Sequence, residues 1–574
     1  MKINFLRNSF LIMFFFLTGF IFSQDLGSET VTVVKPYTPS VNDANKIKEV
    51  PSISDSVNLE KRPVQYSIFS VPVASTFSPA KGRATTVERQ RPPKLYDNYV
   101  TLGFGTYTSI LAEFYSNIEV SRTDNFGIFL THNSAQGDIE GVYLDDHYYD
   151  TELNLNYTSR QRNLTWKTDF GVEHQLQNWY GVPSSLTNEV RNQIDPQHNY
   201  YSVYAGGELR PEDSFFDGAK VKYRFFGDDY SSAEHHINFK PSFELPLGGE
   251  IFHTNVTVDY LNGSFDRNYF NNEGLNYSFL NLGLDSSLLI LRDDLTLNLG
   301  AAVFYSMDTE NSDGAVFVYP KVTASYRMAG EYFIGYAGLE GELKQNTYYQ
   351  MVQKNPFVSP TLNIQPTDQQ YNAYVGAKGK LSNSVGYNLK GSYIAEDTKP
   401  LFLANPVVSY RNEEDYAHGN SFGIVYDRMK TISAFGELNF DLSRNFNLRV
   451  NGEYFVYDTD EEAEAWNLPD FKANLLADYQ ITEKWFAGAN LFLVGERKDL
   501  LNYDPFEMAP PSTVVTLDSY FDINANVGYR FNDRLSIFAR GNNLLGENYE
   551  KWMNYPVMGL QVMAGATYKF DFGR

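Results

Sequence analysis

The 574-residue chain contains no cysteine. That absence excludes a disulfide framework, a zinc ribbon, an iron–sulfur site, a thiol nucleophile and a lipid-modified N-terminal cysteine. Positive charge is also scarce, with 47 Lys and Arg against 70 Asp and Glu and a net charge of -23. No nucleic-acid partner is expected of such a chain, because a phosphate-binding surface needs a concentrated positive field. After Phe22 there is no run of about 18 apolar residues, so no transmembrane helix is expected. Histidine is rare, and none of His132, His147, His174, His198, His235, His236, His253 and His418 has a second ligand at metal-binding spacing. His235 and His236 are adjacent in an extended stretch and must face opposite sides. Gly-x-Ser-x-Gly, phosphate-loop and His-Glu-x-x-His patterns are absent, so neither an enzyme nor a cofactor is expected.

What the chain does have is rings: 42 Tyr and 43 Phe at a mean hydropathy of -0.38. An acidic soluble protein has no evident use for so many. Residues 1–24 carry Lys2 and Arg7, an apolar stretch from Phe10 to Phe22 and then Ser23-Gln24, the pattern of a secretory signal peptide. Residues 25–97 hold eight of the 24 prolines, show no sustained period and carry a net charge of +2, so the body from 98 to 574 carries -27. This reads as an irregular, proline-punctuated N-terminal segment ahead of a single acidic domain.

From Asn98 onward apolar residues alternate with polar or small ones. Leu560, Val562, Ala564, Ala566, Tyr568, Phe570 and Phe572 share one face of the last such stretch; Gln561, Gly565, Thr567, Lys569 and Asp571 share the other. Twenty-two stretches of this kind fit between 98 and 572, many longer than the five or six residues usual in soluble strands. Tight connections such as Thr123-Asp124, Ser382-Asn383 and Thr482-Glu483 alternate with longer ones, notably 178–197, 347–368, 397–418 and 499–516. An even strand number, short turns on one rim and long loops on the other predict an all-β fold, a transmembrane antiparallel β-barrel of a Gram-negative outer membrane with both ends of the barrel at the periplasmic rim. No edge can face lipid, so the sheet must close. The rings are expected at lipid-facing positions and in the two interfacial girdles.

The run from Asp533 to Tyr549, with Asn542-Asn-Leu-Leu545 inside it, then Tyr555-Pro-Val-Met-Gly559 and Ala564-Gly-Ala-Thr-Tyr-Lys-Phe570, resembles the closing hairpin of TonB-dependent receptors. The resemblance implies an outer-membrane receptor barrel whose final aromatic is read by the barrel-assembly machinery; here that residue is Phe572, with Gly573 and Arg574 trailing. Such receptors carry a plug of well over a hundred residues before the barrel, whereas 25–97 is too short for one, so a plug-less barrel is expected. Glu29, Thr30, Val31, Thr32, Val33 and Val34 look like the box with which those receptors engage TonB by strand addition.

A lumen of this size needs closing. The candidates are the basic side chains of the N-terminal segment, Lys81, Arg83, Arg89, Arg91 and Lys94, against an acidic interior, the long loops folded inward, or a separate protein, and the segment together with the loops is the favoured reading. Asp458, Asp460, Glu461 and Glu462 in an outer loop form a weak Ca²⁺ candidate, otherwise a solvated or lipopolysaccharide-bridged run. Trp179-Tyr180, Trp466 and Trp552 are placed on outer loops, as exposed partner-binding rings or as girdle residues. The functional expectation is a subunit or scaffold of a larger outer-membrane complex, with surface lipoprotein or periplasmic partners and a lipid and lipopolysaccharide surround. The alternative is a TonB-dependent transporter or channel for a glycan, peptide or metal chelate.

Overall fold

The computed structural model describes residues 94–572 apart from 213, 248, 409–411 and 503–511. Residues 29–34 and Lys81, Arg83, Arg89 and Arg91 lie outside that range, and Lys94 is exposed. Antiparallel pairing runs strand to strand from Asn98–Gly105 to Gln561–Phe570, twenty-two strands in all, and the last pairs back to the first. The register at this seam sets Asn98 opposite Phe570 and Gly105 opposite Met563, which puts both ends of the barrel on one rim. Asn98 Nδ2 donates to the Phe570 carbonyl at 3.0 Å, and Thr101 and Thr567 join hydroxyls at 2.9 Å. Closure leaves no open edge, as a sheet in lipid requires.

The alternation in the sequence becomes an outward apolar face. Leu284, Val303 and Val318 are register neighbours on three adjacent strands and are all exposed, as are Leu282, Tyr305 and Val316 two residues away. These rows face lipid.

The rings have a wider use than the sequence suggests. Tyr204, Tyr336, Phe486 and Phe538 point into the barrel, each directly across from a glycine: Gly171, Gly376, Gly528 and Gly565. Each ring lies where the missing glycine side chain would be, so a methyl group there would overlap it. Each ring also has a cation near its centre. Lys222 sits 4.3 Å from the centre of Tyr204, Lys378 5.6 Å from Tyr336, Arg530 5.0 Å from Phe486 and Arg540 5.8 Å from Phe538. The inner wall is therefore of mixed sign rather than uniformly acidic. Arg224, for example, pairs with Glu173 at 3.7 Å.

Strand lengths are unequal. The seam strands Asn98–Gly105 and Gln561–Phe570 have 8 and 10 residues, while Val385–Ala404 and Phe422–Ser443 on the far side have 20 and 22. At ~3.4 Å per residue and ~40° tilt, 20 residues rise ~50 Å, about twice the apolar band of such barrels. This hairpin extends well above the membrane. The sequence pattern ends its first strand early because the alternation breaks at a bulge between Glu396 and Lys399, beyond which pairing resumes. The outer loop there shrinks to 405–421.

Candidate functional site

The long loops share one rim, and their apolar side chains meet. A single buried cluster joins Trp179, Tyr269, Tyr348, Met351, Phe357, Tyr416, Trp552 and Tyr555 from the loops with Tyr200, Phe226 and Leu261 from the wall. The loops in question follow the fifth, ninth, thirteenth, fifteenth and twenty-first barrel strands. The fifth and fifteenth lie ten positions apart in a ring of twenty-two, so their contact crosses the mouth. Asn420 Nδ2 donates to the Trp179 carbonyl at 2.9 Å, and the Trp179 and Tyr416 rings meet edge to face at 5.5 Å.

Other contacts extend the span. Tyr180 donates to the Pro556 carbonyl at 3.0 Å, Tyr555 donates to the Asn420 carbonyl, and Tyr555 stacks on Phe357 at 3.8 Å. Tyr269 donates to the Pro406 carbonyl at 2.7 Å, Asn412 returns a bond to the Tyr269 carbonyl at 3.0 Å, and Arg267 pairs with Glu414 at 3.3 Å. Trp179, Trp466 and Trp552 are 1%, 2% and 8% exposed. They are neither open partner-binding rings nor girdle residues: Trp179 and Trp552 fill the core of a cap over the mouth, where the loops bury them against one another, and Trp466 fills a separate cluster with Leu401, Leu403 and Met429.

One loop goes deeper. Residues 345–366 contain the helix Tyr348–Lys354, which starts at Thr347, whose hydroxyl accepts the Gln350 N–H at 3.1 Å. Its first turn meets the barrel wall. The Glu234 carboxylate accepts the backbone N–H of Tyr348 at 2.5 Å and of Tyr349 at 3.2 Å, as well as the Tyr277 hydroxyl at 2.8 Å. A carboxylate at this end also satisfies the positive pole of the helix. The Tyr348 hydroxyl donates to Asp228 at 2.8 Å, Gln353 donates to Glu173 at 3.2 Å, and Arg224 lies 3.7 Å from the Tyr349 ring centre. Three wall carboxylates thus hold one loop helix inside the barrel. Sequence reading placed this segment in a featureless loop, yet Thr347-x-x-Gln350 ahead of Met351 and Val352 is a helix-start pattern.

Burial tunes titratable groups within the cap. Asp415 is pushed above the usual carboxylate range by burial while accepting the Asp195 N–H at 2.8 Å, and burial lowers His418. Asp499 lies in an outer hairpin, Arg497–Leu501 paired with Thr513–Leu517, that is separate from the barrel sheet. It is 0% exposed and pushed up to about 6 by burial, against the pull of hydrogen bonds from Asn467 at 2.9 Å and the Ala404 N–H at 3.1 Å.

The acidic run has its own arrangement. Asp427 accepts the backbone N–H groups of Asp460, Glu461 and Glu462 at 3.0 to 3.1 Å, Arg428 lies 3.6 Å from Asp460 and Lys430 3.3 Å from Asp458. Glu462 accepts the Trp466 indole N–H at 2.7 Å. Among the described residues no group of three or more His, Asp or Glu is placed to hold a metal ion. The geometry can close a mouth and hold it closed through buried, titratable anchors.

No protein-family model and no curated protein matches the chain. Solved structures do match. The FrpB iron transporter from Neisseria meningitidis superposes with a TM-score of 0.62 at 10% identity, over 83% of this chain and 82% of that one. A mutant of the ferric enterobactin receptor from Pseudomonas aeruginosa gives 0.61 at 14%, over 83% and 81%. The ferripyoverdine receptor of the outer membrane of the same organism gives 0.61 at 12%, over 84% and 73%. The chain is an outer-membrane β-barrel of 22 strands with the fold that these receptors and this transporter share.

Proposed function

We propose that the chain is a receptor-type barrel that takes a substrate across the outer membrane, with the loop cap as its outer gate. The observation that carries this reading is the helix 348–354, held inside the barrel by Glu234, Asp228 and Glu173 on three wall strands. A gate needs such releasable anchors; a merely decorative loop does not. The fold shared with two receptors and a transporter, and the resemblance of the closing hairpin to TonB-dependent receptors, support the same class. In this reading residues 29–34 engage TonB, and the basic side chains Lys81, Arg83, Arg89, Arg91 and Lys94 help to close the lumen from the periplasmic side.

The test is growth of a deletion strain on single nutrient sources, with and without TonB. A nutrient-specific defect reproduced by TonB loss or by deletion of residues 29–34 supports uptake. Normal growth and uptake on every source overturns it.

A second reading, a subunit of an outer-membrane complex with a surface lipoprotein, draws on a different observation. The cap is a packed unit with its own apolar core rather than a set of loose loops, which suits a docking platform. Purification in mild detergent separates the two, because a stoichiometric lipoprotein partner belongs only to the second.

A further inference from the structure

Four of the eight histidines occupy one flank of the barrel, on the lipid-facing side and at the outer end of the strands. His132, Thr151, His174 and Tyr201 are successive register partners across four adjacent strands. His147 precedes the second of these strands with its ring 5.7 Å from Tyr149, and His235 lies two strands beyond Tyr201, opposite Phe225. Every imidazole is packed on an aromatic ring. His132 stacks on Tyr149 at 6.3 Å, His174 on Tyr201 at 5.1 Å and 8°, and His235 on Tyr223 at 6.2 Å. The residues below them on the same face, Phe170, Val172, Tyr223, Ile237 and Phe239, are exposed apolar positions of the lipid belt.

Trp166 marks the inner end of this face, eight residues before His174, or ~20 Å along the barrel axis at ordinary strand rise and tilt. The imidazoles therefore sit at the outer membrane–water boundary. The inner boundary of the same flank carries Trp166, Phe216 and Phe243 and no histidine. Above the inner rim, the lipid-facing positions of these six strands carry no Asp, Glu, Lys or Arg. The flank treats the two leaflets differently, and imidazole is what distinguishes the outer one.

We propose that this flank binds a phosphorylated glycolipid of the outer leaflet, the lipopolysaccharide class, by its headgroup. An imidazole carries one N–H donor when neutral and two when protonated, each suited to a phosphate oxygen, and the stacked rings offer apolar faces to the sugars. His235 engages the Tyr223 hydroxyl through Nδ1 at 2.9 Å, which leaves its Nε2 for the headgroup, whereas His174 donates through Nε2 to the Asn199 amide oxygen at 3.1 Å, so its Nδ1 donates to a phosphate oxygen only in the protonated ring. The site is independent of the gate.

The experiment compares the full-length protein, extracted in mild detergent, with a His147→Ala/His174→Ala/His235→Ala variant and with a Tyr371→Ala/Tyr393→Ala control, which removes a stacked pair from other strands. Purified lipopolysaccharide is added, and the retained molecules are counted by native mass spectrometry after detergent exchange. The control is expected to retain as much as the parent, and the triple variant at most a tenth. The single His174→Ala change, which disturbs the fold least, is expected to halve retention. Equal retention by triple variant and parent overturns the proposal, as does equal loss in both multiple variants or equal displacement by phosphatidylethanolamine vesicles.

Discussion

The carboxylate of Glu234, on the barrel wall, accepts the N–H of Tyr348, the first residue of a helix 114 positions later in the chain. It is buried, and it also serves Tyr349 and Tyr277. Glu234→Ala would leave three donors without this acceptor, at about 1–3 kcal/mol for each one that stays buried and unsatisfied. Amide exchange at 348–354 is expected to accelerate about 100-fold, while the wall strands keep their protection. Unchanged protection of the helix would show that its apolar face alone holds it.

Tyr555 ties the last outer loop to three others, through Tyr180, Phe357 and Asn420. Tyr555→Phe keeps the stack on Phe357 and loses only the hydroxyl bond to Asn420, at about 1 kcal/mol, whereas Tyr555→Ala also empties a buried site, at about 3–5 kcal/mol. Cells carrying the Ala variant are expected to admit bulky antibiotics that the Phe variant still excludes. Equal exclusion by both would mean that the cap is not the barrier.

The cap is expected to be more stable in mild acid than at neutral pH. Asp499 titrates near 6 in the folded protein against 3.8 when unfolded. Across that window the native state holds the extra proton, so stability falls as pH rises, by roughly 2–3 kcal/mol in total. Thermal midpoints of the cap at pH 4.5 and pH 7.5, read from near-ultraviolet signals, should show this drop, and Asp499→Asn should flatten it. The same slope in the Asn variant would assign it elsewhere.

Gly171→Ala pushes a methyl group into the ring of Tyr204, and overpacking of this kind costs about 1–3 kcal/mol. Pairing the change with Tyr204→Ala should recover part of that loss, a coupling readable in a double-mutant cycle of urea midpoints. Strict additivity would mean that the ring swings away without strain.

Deleting residues 79–94 tests the proposed role of the basic segment. Planar-bilayer conductance should rise if that segment shares in closing the lumen. If it stays negligible, the cap suffices.

The barrel was legible because its signal is local. Period two, tight turns and an even strand number are written into neighbouring residues, and the observed strands lie close to the stretches read from the alternation, except where the bulge at 396–399 breaks it. The cap was not legible, because its contacts join residues far apart: Trp179 with Tyr416, Tyr180 with Pro556, Tyr200 with Pro356. Nor does a ring lying over a cross-strand glycine differ in sequence from a ring facing lipid. Alternation says that two faces exist, and a Tyr opposite a Gly fits either one until the register is known.

The cap's position in the chain has a consequence for assembly. Its core draws on loops following six strands, the last of them the twenty-first, so it takes in Tyr555 near the end of the chain. The partners of Tyr555, namely Tyr180, Phe357 and Asn420, lie 135 residues or more before it. The cap therefore completes its core only once the closing hairpin is in place, and the burial of Tyr555 marks the moment at which a pore in the making becomes a closed vessel.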